Sequence, residues 1–108
     1  MEVEVESSEL AEAYHVGVAL DTLDGRCVLG VSTLWDGRPP LCGRASYRVR
    51  LVVPSLPVAS GAFHLSGFLF DESGLHVHDQ VVLPHAVKVS PPRWTPSLLE
   101  VPHRWELP

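Results

Sequence analysis

This sequence predicts an all-β chain, a two-sheet sandwich of about seven to eight short strands, and three observations carry that prediction. Apolar residues recur in short alternating or continuous runs instead of long stretches at helical spacing. Ten prolines and eight glycines fall between those runs, where both residues punctuate turns. With 108 residues, the chain has material for one hydrophobic core, and residues 1–108 are read as a single domain.

Taken in order, "VEVEV" alternates strictly, and its acidic face and terminal place predict an edge strand protected by like charge. "SSELAEA" is the one stretch with a helical look, and it is too short to stand alone. "YHVGVAL" places Tyr14, Val16, Val18 and Leu20 on one face of a second strand. A turn at Asp24-Gly25 leads into "CVLGVST", where Cys27, Leu29 and Val31 share a face, so the two strands read as a hairpin. "LWDGRPPLCGRA" is rich in turn formers and reads as an exposed loop carrying Trp35. "YRVRLVV" points Tyr47, Val49, Leu51 and Val53 inward and Arg48 and Arg50 outward, and Pro54 stops it. Gly61 opens "AFHLSGFLF", which runs to Asp71. The tail "PPRWTPSLLEVPHRWELP" is broken by proline, with one last short strand expected near Leu98 to Val101.

Composition excludes several classes. Charged residues make up 19% of the chain against 45% apolar, a globular balance, and no apolar run is long enough to cross a bilayer. The net charge is −5 and the eight basic residues are scattered, so nucleic acid, which demands concentrated positive charge, is not an expected partner. The acidic start lacks the basic and apolar segments of a secretory signal, which predicts a cytoplasmic location. Cys27 and Cys42 form no Cys-x-x-Cys pair and read as two small, part-buried thiols. The sequence contains no phosphate-binding loop, nucleophile elbow or dinucleotide turn, and no catalytic residues or cofactor are expected.

The stretch with the most chemistry is "SGLHVHDQ". "DESG" before it fits a three-residue turn whose last residue, Gly74, is left-handed. That turn sets Asp71 opposite Leu75, Phe70 opposite His76, Phe68 opposite His78 and Ser66 opposite Gln80. Leu65, Gly67, Leu69, Leu75 and Val77 then form a core surface. His64, Ser66, Phe68, Phe70, His76, His78 and Gln80 form the other face, which mixes rings with neutral hydrogen-bonding groups. Three readings compete for it. The face is surface decoration; or His76 and His78 bind a metal with Asp71, Asp79, His64 or His85 as a third ligand, a metal-dependent enzyme; or it is a ligand platform of the mixed character that suits sugars. The last is preferred, with His64, Phe68, Phe70, His76, His78 and Gln80 as binding residues and Trp35 as a neighbour from its loop. Paired Asp71 and Glu72 read as turn-capping residues, not a catalytic couple.

Three segments in order, "DGRCVLGVST", "YRVRLVVPSLPVASGAFHLSGFLFDESG" and "LLEVPHRWEL", resemble the C-terminal domain of the ATP-binding subunit of bacterial O-antigen polysaccharide ABC exporters. The likeness runs from about Val16 to the end, and "PHRW", Pro102 to Trp105, sharpens it. It implies an immunoglobulin-like sandwich that forms a homodimer and binds the exported lipopolysaccharide glycan at its modified non-reducing end. It also implies an ATPase domain and a permease as partners at the inner face of the inner membrane. The absence of a phosphate loop agrees with a binding module. Pro102, His103, Arg104 and Trp105 are read as a tail clasp or dimer contact, with Trp105 anchoring the tail by burying its ring.

Overall fold

The computed structural model describes residues 1–7 and 12–108, so most of "SSELAEA" lies outside the described residues. It is all-β, with six strands: β1 (Glu2–Ser7), β2 (Tyr14–Thr22), β3 (Cys27–Ser32), β4 (Tyr47–Val52), β5 (Gly61–Asp71) and β6 (Val77–Val89). They form two antiparallel sheets, one of two strands in the order β1-β4 and one of four in the order β3-β2-β5-β6. Among the described residues no helix is long and apolar enough to cross a membrane.

The core follows from alternation on β2. Tyr14, Val16, Val18 and Leu20 are all buried, Leu20 completely. On the neighbouring β5 the odd positions turn the same way, and Phe63 and Leu69 are buried with them. Tyr14, Val16 and Leu69 pack beneath Val5, Tyr47 and Val49 of the small sheet, while Leu20, Val58 and Phe63 close the other end with Leu29, Leu65 and Val87. Burying a side chain such as Phe63 or Leu20 contributes about 1.5–3 kcal/mol, so the β2–β5 pair holds most of the driving force.

β1 lies at an edge, as its acidic alternation predicts, but like charge is not its only protection. Arg48 of β4 sits across from it and pairs with Glu4 at 2.7 Å, with Glu6 at 3.9 Å. The β2–β3 hairpin turns at Asp24-Gly25 with Gly25 at φ 95°, and Thr22 N–H donates to the Arg26 carbonyl. A bulge between Leu20 and Asp21 then sets Leu20 opposite Leu29 and Asp21 opposite Cys27. The extra residue, Val28, moves Cys27 off the face of Leu29 and Val31. Both cysteines are exposed, against the expectation of part-buried thiols.

The β5–β6 hairpin departs from its expected register. Asp71 accepts the paired position of His76, through its N–H to the His76 carbonyl, so the loop is one residue longer than a three-residue turn. Gly74 is left-handed at φ 76°, as expected, but the organiser is the Asp71 carboxylate. It accepts hydrogen bonds from the Ser73 hydroxyl at 2.9 Å and from the N–H groups of Leu75 (3.1 Å) and His76 (3.2 Å). Val77 therefore stands opposite Phe70, and a bulge at His78 restores pairing with Asp79 opposite Leu69 and Gln80 opposite Phe68. Leu75, expected in the core, is 91% exposed at the hairpin tip.

The expected strand near Leu98 to Val101 is reduced to one bridge between Val58 and Leu99, with hydrogen bonds from Ala59 N–H to Leu98 and from Glu100 N–H to Pro57. Pro57 and Pro102 flank that bridge, and neither has an N–H with which to extend a ladder. Trp105 does not clasp the body of its own chain: it is 81% exposed. Arg104 pairs with Glu106 at 3.1 Å, and the His103 ring reaches the Val101 carbonyl at 2.8 Å.

Candidate functional site

The outer face of the four-stranded sheet is a lattice that can be read row by row from the pairing. One row is Ser32, Gly17, Phe68 and Gln80; the next is Gly30, Ala19, Ser66 and Val82. Toward one end lie His15, Phe70 and Val77, and toward the other Cys27, Asp21 and His64. At strand and residue spacings of about 4.8 Å and 3.3 Å, these four rows, the middle two crossing four strands and the outer two crossing three, span roughly 20 by 14 Å at most.

The centre of this face is small and its margins are aromatic. Gly17, Ala19 and Gly30 supply almost no side chain, and Ser66 is buried among them. Phe68 and Phe70 lie nearly parallel, with ring centroids 5.6 Å apart and planes 17° from each other. Phe70 can lie low because position 17 is glycine: a Cβ there would stand 2.6 Å from its Cε2. At the opposite margin the loop after β3 folds back over the sheet. The Trp35 main-chain N–H donates to the Ser32 hydroxyl at 3.1 Å, and the edge of its ring lies 3.9 Å from where a Gly30 Cβ would be, while the residue remains 71% exposed. His15 is buried beneath that loop, its Nδ1 2.9 Å from the Thr33 hydroxyl, which also accepts the Val16 N–H at 3.1 Å.

The predicted residues divide. Phe68, Phe70, Gln80, His64 and Trp35 come together on or beside this face. His76 and His78 lose their expected places opposite Phe70 and Phe68. Val77 takes the place opposite Phe70, and alternation turns His76, opposite Asp71, to the other side; His78 is the unpaired residue of the bulge. Their rings meet edge to face at 5.4 Å. Asp71, one proposed third metal ligand, is committed to the turn. Among the described residues no group of three or more His, Cys, Asp or Glu side chains is placed to hold a metal ion.

Gly17, Ala19, Asp21 and Gly30 were not singled out from the sequence. A signal was present, since the positions of "YHVGVAL" and "CVLGVST" facing away from the core are unusually small, but only the β2–β5 pairing sets them beside the phenyl rings. Asp21 faces Cys27 on one side and His64 on the other; desolvation by neighbouring atoms and the Asp21 carboxylate raise the exposed Cys27 thiol above its ordinary range.

A concavity also lies elsewhere. A groove of about 240 Å³ runs between β1 and β6, lined by Val3, Val5, Leu65, Leu69, Val81 and Leu83, by Ser66, Gly67, Phe68 and Gln80, and by Glu4, Glu6 and Asp79. It exists because a two-stranded sheet is too narrow to cover four strands, which leaves Val81 and Leu83 about half exposed. Its lining is chiefly aliphatic and acidic, and it shares Ser66, Phe68 and Gln80 with the rows of the outer face.

No family model matches the chain, and no curated protein matches it.

Proposed function

We propose that this protein is a non-catalytic carbohydrate-binding domain whose site is the outer face of the four-stranded sheet. The observation that carries the reading is the pair of parallel phenyl rings beside a floor of glycine, alanine and serine, with Trp35 at the far margin. Sugar rings present an apolar C–H face and a polar rim. Phe68, Phe70 and Trp35 take the first by stacking, while Gln80, Asp21 and His64 hydrogen-bond the second. His76 and His78 are not part of this site.

The finer reading rests on the resemblance of "YRVRLVVPSLPVASGAFHLSGFLFDESG" and "LLEVPHRWEL" to the polysaccharide-exporter domain. On it, the ligand is an O-antigen-type glycan recognised at its modified non-reducing end, and the partners are a second copy, an ATPase domain and a permease at the inner face of the inner membrane. The test is binding of lipid-free O-polysaccharides, released from lipopolysaccharide by mild acid, to wild type and to Phe68→Ala and Phe70→Ala proteins of intact fold. Unchanged binding by both variants would remove the site.

A second reading, a dimerisation module, is favoured by a different observation. Val81 and Leu83 line the groove between β1 and β6, and Trp94, Leu99, Val101, Trp105 and Leu107 of the tail are exposed. Light scattering of wild type and a Val81→Asp variant addresses it: a dimer that the variant abolishes supports association through this groove, and a monomeric wild type ends the idea.

A further inference from the structure

We infer that His64 is held in a single tautomer by the backbone of His85, and so presents a fixed Nε2–H donor to the ligand at the polar end of the outer face. This rests on the carbohydrate-binding reading and assigns a role within that same site.

The geometry originates in the pairing of β5 with β6. Phe63 pairs with Val87 and Leu65 with Leu83, so three residues, Pro84, His85 and Ala86, stand against the single residue His64. Such an insertion bends an edge strand and leaves backbone groups without ladder partners. Pro84 has no N–H to lose, and β6 is an edge strand, where proline is tolerated. His85 has φ 53°, the one non-glycine residue in the left-handed region among those described. That conformation turns its N–H back toward the sheet, where His64 Nδ1 accepts it at 3.0 Å. The two rings meet edge to face, 5.1 Å between centroids and 85° between planes, which keeps His85 from stacking over the His64 ring.

A neutral imidazole has one nitrogen that donates and one that accepts. With Nδ1 committed as the acceptor of a main-chain N–H, the proton resides on Nε2. His64 lies on the outer face opposite Asp21 and two residues from Ser66. The site therefore combines an acceptor, the Asp21 carboxylate, with a donor of fixed sense. That pair fits saccharide oxygens: a hydroxyl that donates to Asp21, and a neighbouring hydroxyl or acyl oxygen that accepts from His64. His85 is the positioning residue; it acts through its N–H and its backbone conformation.

The first test is spectroscopic. Long-range ¹H–¹⁵N correlation at neutral pH is expected to report a protonated Nε2 and a bare Nδ1 on His64, and the opposite tautomer would overturn the inference. The second separates the two nitrogens. In His64→Asn the side-chain oxygen replaces Nδ1 as acceptor for His85 but no group replaces Nε2–H. Its melting temperature should match wild type, while affinity for the O-polysaccharide panel falls about tenfold, the order expected for one lost hydrogen bond. His85→Gly keeps the N–H and favours the left-handed conformation, so tautomer and affinity should both be preserved; a loss of binding there would mean that the His85 ring itself meets the ligand. A panel that neither wild type nor variant binds overturns the ligand role, whereas the tautomer result tests the His64–His85 contact separately.

Discussion

Gly17→Ala tests how the candidate face is built. An ideal Cβ at position 17 would lie 2.6 Å from Phe70 Cε2 and 3.4 Å from the Val31 carbonyl oxygen. Carbon atoms pack at about 3.5–4.0 Å, so the phenyl ring has to retreat by about 1 Å. Overpacking of that kind costs about 1–3 kcal/mol, and replacing glycine by alanine within a strand returns about 0.5–1 kcal/mol. The net loss is about 1 kcal/mol, or a fall in melting temperature of about 4 °C or somewhat more for a domain of this size. Calorimetry on the single variant does not isolate the cause, but a double-mutant cycle does. In a Phe70→Ala background the obstructing ring is gone, and Gly17→Ala should then stabilise by about 0.5–1 kcal/mol. The same penalty in both backgrounds would refute the claim that glycine at this position exists to let Phe70 lie flat.

Other predictions address the surroundings of the face. Thr33→Val removes the partner of both His15 Nδ1 and the Val16 N–H; at about 1–3 kcal/mol for each group left unpaired, thermal denaturation should drop by well over 5 °C. Trp35→Ala removes a ring that is 71% exposed, so stability should stay within about 0.5 kcal/mol of wild type while glycan affinity falls about three- to tenfold. For Asp71, partial desolvation pushes the carboxyl up, but the Ser73 hydroxyl and the N–H groups of His76, Leu75 and Gly74 outweigh it and hold it below the usual carboxylate range. A carboxyl depressed by folding contributes stability above its unfolded value that is lost as pH falls through the lower folded value. Acid titration of Asp71→Asn, followed by circular dichroism, should therefore show a shallower loss below about pH 4 than wild type. Asp24 is lowered too, chiefly by the Thr22 hydroxyl, so part of the acid limb should persist.

The sequence carried the fold class because its signals are local. Alternation from Tyr14 to Leu20 marked the core side of β2, Asp24-Gly25 marked a hairpin, and Gly74 marked a left-handed turn position; all three stand. Register was not legible, since a slip of one residue sends every side chain to the opposite face. Asp71 captures the Leu75 and His76 N–H groups and lengthens the turn, and that alone replaced His76 by Val77 opposite Phe70. The bulge at His78 then restored the parity that keeps Gln80 beside Phe68, so part of the expected face survived a different register. Cys27 crossed to the other side through the bulge at Val28 for the same reason. Which strand adjoins β5 depends on non-local pairing, and without it the glycines of β2 and β3 are merely small residues. Among the described residues the strands number six, since the two prolines flanking the Leu99 bridge stop it from growing into a ladder.

Adding lipid-free O-polysaccharide to ¹⁵N-labelled protein and following the backbone amide resonances shows where the ligand sits. Shifts concentrated at Gly17, Ala19, Gly30, His64, Ser66, Phe68 and Gln80 are the predicted result. Shifts confined to Val3, Val5, Val81 and Leu83, or to His76 and His78, would contradict the outer-face site.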